Sequence, residues 1–88
     1  MTPFFSHIAP TLRKDERVRD AVKNVLQRFA NAGIRHNDVA WRNVCLYRTA
    51  DAELRAVMID LADVNEFVNP RERDAWVKVA IERLDSSA

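Results

Sequence analysis

The stretch Arg35-His36-Asn37-Asp38-Val39-Ala40-Trp41-Arg42-Asn43-Val44 holds a histidine, an aspartate two residues on, and an asparagine five residues after that. The chain on either side organises around it. Upstream, Val18, Ala21, Val22, Val25, Leu26 and Phe29 recur at steps of three and four, the spacing of one apolar stripe on a helix. Arg17, Arg19, Asp20, Lys23, Asn24, Gln27 and Arg28 fill the other side, so the pattern predicts a helix over 14–31. Gly33, the only glycine in the chain, lies just past it, where a left-handed stop is wanted.

Downstream, Val44-Cys45-Leu46-Tyr47-Arg48 and the run from Leu54 to Ile59 are rich in β-branched or apolar residues and predict two strands. Thr49-Ala50-Asp51-Ala52-Glu53 would join them as a turn that lacks glycine and so is not tight. Asp60 follows Val57-Met58-Ile59 directly; a carboxylate there belongs at the end of a strand, not inside it. Residues 61–69 read as a connection. Asn69-Pro70-Arg71-Glu72 then predicts a helix start, with Asn as the cap, Pro at the first position and Glu reaching back. Trp76, Val79, Ala80 and Leu84 carry that helix to about Leu84, and Ser86-Ser87-Ala88 reads as a frayed end. Residues 1–13, with Pro3 and Pro10, read as an irregular lead-in in which Phe4, Phe5 and Ile8 would pack on the first helix. The expected architecture is therefore α+β: a long helix, a polar loop, a β-hairpin and a C-terminal helix, with the folded unit over 14–85.

Composition sets the bounds. Eighty-eight residues make one small domain, and 48% hydrophobic with 31% charged residues is a globular balance. Fourteen Lys+Arg against thirteen Asp+Glu give a net charge of +1. That gives no electrostatic case for nucleic acid or for an anionic membrane. No apolar run reaches the length of a membrane span, and Met1–Thr11 lacks the basic start and continuous apolar stretch of a signal peptide. The single Cys45 excludes an internal disulfide, reads as a small strand residue and suits a reducing, intracellular compartment.

The order H-x-D-x-x-x-x-N, strand, turn, strand, Asp resembles the catalytic loop and metal-binding aspartate of the protein-kinase-like fold. It is similar both to small-molecule kinases of the aminoglycoside-phosphotransferase type and to divergent fungal and oomycete kinase-like domains, the Crinkler-type proteins among them; Trp41 looks more like the divergent group. The resemblance covers residues 15–62. It implies a partial C-lobe in which Asp38 is the base for the acceptor hydroxyl, Asn43 and Asp60 bind Mg²⁺, and His36 is a structural residue packing under the loop. ATP and Mg²⁺ are the implied cofactors. Taken singly, Asp38 and Asn43 are also ordinary turn residues, and His36 an ordinary buried imidazole.

The departures are as informative. One glycine cannot make a Gly-rich phosphate loop, and no strand carries a Val-Ala-Ile-Lys-like lysine. Asn37 stands where protein kinases have Arg, Ala40 where they have Lys, and Asp60-Leu61-Ala62 where they have Asp-Phe-Gly. The expectation is a phosphotransferase fragment or remnant, inactive alone, whose nucleotide lobe is missing or supplied by a protein partner. The alternative is a non-catalytic interaction module, a pseudokinase remnant, in which Phe4, Phe5, Phe29, Trp41, Phe67 and Trp76 form a contact face, for example in a homo-oligomer. A third reading is an unrelated small helical domain in which the motif is accidental; it gains if residues 54–60 are helical rather than extended.

Overall fold

A computed structural model describes residues 6–86 of the chain. In order these are β1 (Ser6–His7), α1 (Glu16–Asn31), β2 (Ile34–His36), β3 (Val44–Arg48), β4 (Leu54–Met58), β5 (Val64–Glu66) and α2 (Pro70–Ser86). The fold is α+β, with two helices and two small antiparallel sheets.

Asp15 starts α1. Its carboxylate accepts from the amides of Arg17 at 2.9 Å and Val18 at 3.3 Å, satisfying two donors the helix cannot. The apolar stripe lands as its spacing requires: Val18, Ala21, Val22, Leu26 and Ala30 are buried, with Leu26 fully so. Gly33 takes a φ of 76°, the left-handed conformation that ends α1 and turns the chain into β2.

The hairpin β3–β4 pairs Val44 with Met58, Leu46 with Ala56 and Arg48 with Leu54. The turn is wide, with Ala52 at a φ of 64° and the Glu53 amide bonded to Thr49 Oγ1 at 3.2 Å. Residues 54–58 are thus extended, which removes the all-helical reading. α1 packs across β4, and β1 adds to the far side of β3 with His7 opposite Cys45.

Several expectations need correction. The lead-in is not irregular where it is described: β1 joins the sheet, Pro10–Leu12 forms a 3₁₀ turn, and Ile8 is buried in the core. Phe4 and Phe5 lie outside the described residues. The connection over 61–69 contains β5, which pairs with β2 in the register Ile34–Glu66 and His36–Val64. Finally, Trp41 and Trp76 offer no contact face, being 5% and 6% exposed. Burial of so much ring area dominates their placement. The Trp41 indole donates to the Leu84 carbonyl at 2.9 Å, and the Phe67 ring meets Trp76 edge-on at 5.6 Å.

Asn69 caps α2, its side chain accepting from the Glu72 amide at 2.8 Å. The Glu72 carboxylate does not reach back to Asn69, however; it pairs with Arg35 on β2. A charged partner outcompetes a neutral amide for a half-buried carboxylate. Among the described residues no helix is long and apolar enough to cross a membrane.

Candidate functional site

The loop from His36 to Val44 is held by hydrogen bonds to side chains rather than by regular structure. His36 is 1% exposed at the end of β2. Its Nδ1 accepts from the Asp38 amide at 3.0 Å, and its Nε2 lies 2.9 Å from the Ile59 carbonyl. A carbonyl can only accept, so the ring donates from Nε2 and accepts at Nδ1. The imidazole thus ties the start of the loop to the end of β4, and Phe29 of α1 closes over it edge-on at 6.1 Å.

Asn43 is the second tie. It is 5% exposed and closes the 3₁₀ turn Trp41–Asn43. Its side-chain nitrogen donates to the Asp38 carbonyl at 2.8 Å and to Asp38 Oδ2 at 2.9 Å. Its backbone carbonyl accepts from the Ile59 amide at 2.8 Å. Ile59 therefore gives its N–H to Asn43 and its carbonyl to His36, which sets the following residue, Asp60, beside the loop. Asp60 is exposed and adopts a φ of 60°, a left-handed conformation in a residue other than glycine. Such backbone persists only where its surroundings enforce it, and the two bonds of Ile59 do so.

Asp38 and Asn43 thus touch directly, and Asp60 joins them through the backbone of Ile59. Asp38 also carries a partner that sequence reasoning missed. Arg42 Nη2 sits 2.6 Å from Oδ1 and 2.7 Å from Oδ2. Arg42 beside it, then the Asn43 amide, hold the Asp38 carboxyl below the usual carboxylate range. The four-residue spacing of Asp38 and Arg42 was a readable signal. Two further residues brace the loop: the Asn37 amide donates to the Asp63 carbonyl at 3.0 Å, and the Asn37 side chain donates to Asp63 Oδ1 at 3.1 Å. No spacing in the sequence announces that contact.

The loop and the residue after Ile59 carry hard oxygen donors. The Asn43 nitrogen is committed to Asp38, which leaves its side-chain oxygen as the free end, and the Asp60 carboxylate has no ion-pair partner among the described residues. Two such oxygens suit a small hard cation that takes its remaining ligands from water or phosphate. No cluster of three or more His, Cys, Asp or Glu residues that would hold a metal by protein ligands alone occurs among the described residues. No protein-family model matches the chain, and neither a curated protein nor a solved structure does.

Proposed function

We propose that this chain is the catalytic-loop portion of a kinase-like phosphotransferase, acting with a nucleotide-binding lobe supplied by a partner or by further chain. The observation that carries the reading is the double bond network around Ile59 and Asn43. It joins His36, Asp38, Asn43 and the approach to Asp60 into one unit. Hydrogen bonds tie His36, Asp38 and Asn43 to one another, and Ile59, bonded to both His36 and Asn43, precedes Asp60 in the chain, while Asp38 and Asp60 are not buried.

In this reading Asn43 and Asp60 would hold Mg²⁺, which when bound would neutralise charge on the nucleotide phosphates. Asp38 faces the acceptor hydroxyl and takes its proton as the acceptor oxygen bonds to the terminal phosphorus and the bond to the departing diphosphate breaks. Asn43 fixes Asp38 from below through both its carbonyl and its carboxylate, so the base is oriented before the substrate arrives. His36 supports the loop from the core and touches no reacting group.

The competing reading is a non-catalytic interaction module. It is favoured by exposed apolar residues near the end of β4 and beyond it, with Leu61 at 57% and Val68 at 77%. Titration of the chain with ATP in excess Mg²⁺, followed by NMR, separates the two. The phosphotransferase reading expects weak saturable binding, with a dissociation constant on the order of 1 mM, lost in Asp60→Ala. Absence of binding in the unaltered chain would leave the loop as inherited architecture and turn the search to a protein partner.

A further inference from the structure

A pocket of about 300 Å³ opens between β2 and α2 beside His36; its lining includes Arg35, Asn37, Glu72, Trp76, Val79 and Arg83. We propose that it binds a small monocarboxylate with an apolar body. The proposal stands on this geometry and does not depend on the phosphotransfer reading.

Arg35 is the anchor. Its Nε donates to Asn37 Oδ1 at 2.9 Å and its Nη1 pairs with Glu72. These two contacts fix the plane of the guanidinium, while Nη2 has no hydrogen-bond partner among the described residues. A guanidinium already immobilised loses little entropy on gaining a ligand, and its remaining N–H groups match the spacing of a carboxylate. Arg83, one of the last basic residues of α2, lines the same pocket, is exposed and has no ion-pair partner among the described residues.

Charge selects the class of ligand. Two arginines against one glutamate leave a single positive charge, which a monoanion balances. A phosphate dianion would sit against the Glu72 carboxylate and be repelled. Part of the wall is apolar, contributed by Ala75, by Trp76, 6% exposed, and by Val79, 43% exposed. That combination, an apolar surface with a few convergent polar groups, is what small-ligand sites share, and the volume fits a ligand of one ring or a short branched chain.

The test uses benzoate as the probe and benzyl alcohol as its neutral counterpart, each titrated into the ¹⁵N-labelled full chain. Benzoate is expected to shift the Trp76 indole N–H and the amides of Arg35 to Asp38 saturably, with a dissociation constant on the order of 1 mM. Benzyl alcohol is expected to bind at least about tenfold more weakly, as is benzoate to Arg83→Gln. Because the Arg83 side chain holds nothing in the fold, that variant keeps the native spectrum, and Arg35→Gln serves as a second variant. Shifts that do not saturate, that centre away from Trp76, or that are equal for the alcohol or for Arg83→Gln would overturn the proposal.

Discussion

At Asp38 one carboxylate serves two neighbours of opposite character. Asn43 orients it from the buried side, and Arg42, whose side chain is 68% exposed, holds it from the solvent side. A carboxylate whose pKa is lowered is a weaker base, so Arg42 restrains the chemistry proposed for Asp38 as long as it stays in place. Replacing Arg42 with Gln should therefore raise the Asp38 pKa towards the ordinary carboxylate range, read from the carboxyl ¹³C shift against pH; an unchanged midpoint would show that Asn43 alone sets it. The linkage has a definite sign. A folded-state pKa below the unfolded one contributes stability at neutral pH that is lost as pH falls through the folded value, and Arg42→Gln should shrink that acid loss. Asn43→Ala acts differently. It strips the Asp38 carbonyl of its buried donor, and urea unfolding should show a loss of about 1–3 kcal/mol. His36, Asp38, Asn43 and Asp60 were legible as candidates because their order and spacing are distinctive. Arg35, Glu72 and Asp63 were not, because 37 residues separate the first pair and 26 separate Asp63 from its partner Asn37.

At the scale of elements, the long-range ties decide how α2 sits. Its last turn is joined to α1 by Arg19 and Asp85, bidentate at 2.9 and 3.0 Å, and to the loop by the Trp41 indole. Arg13 lies over the Trp41 ring at 5.4 Å, so the segment before α1 meets the same point. Arg19 holds the Asp85 carboxyl below its ordinary range, and its own pKa is raised in return. The pair is partly solvated, so Arg19→Gln should cost only about 0.5 kcal/mol at neutral pH, with the difference from the unaltered chain vanishing in urea titrations at about pH 2. A difference that persists in acid would assign the effect to the Arg19 bond to the Arg13 carbonyl, at 3.4 Å, and to packing of the arginine stem. Helix α1, the hairpin and the Asn69 cap were readable because each rests on local periodicity or on a capping residue. β2 and β5 were not: each is three residues long, Ile-Arg-His and Val-Asn-Glu show no alternation, and only their pairing 30 residues apart makes them strands. The tryptophans misled for a similar reason. An aromatic ring looks the same in sequence whether it faces a partner or the core.

Across the whole molecule a single core runs from Ile8 through Val22, Leu26, Trp41, Val44 and Met58 to Trp76 and Leu84, drawing on both helices and on the sheet. A domain of this size keeps a stability of roughly 4–13 kcal/mol, so the loop is anchored to a scaffold with little to spare. Asp38 and Asn43, with Asp60 following Ile59, are tied to that scaffold through His36 and Ile59; Asp60 is exposed and Asp38 partly so, while Asn43 is buried. We propose that Asp38, Asn43 and Asp60 form a metal–nucleotide site. It is tested most directly by adding substoichiometric Mn²⁺ with ATP to the labelled chain and recording which amides broaden. Asp38, Asn43 and Asp60 are expected to broaden first, and Asp60→Ala to abolish the selectivity. Broadening that is uniform, that centres on Asp51 and Glu53 of the hairpin turn, or that survives Asp60→Ala would contradict it.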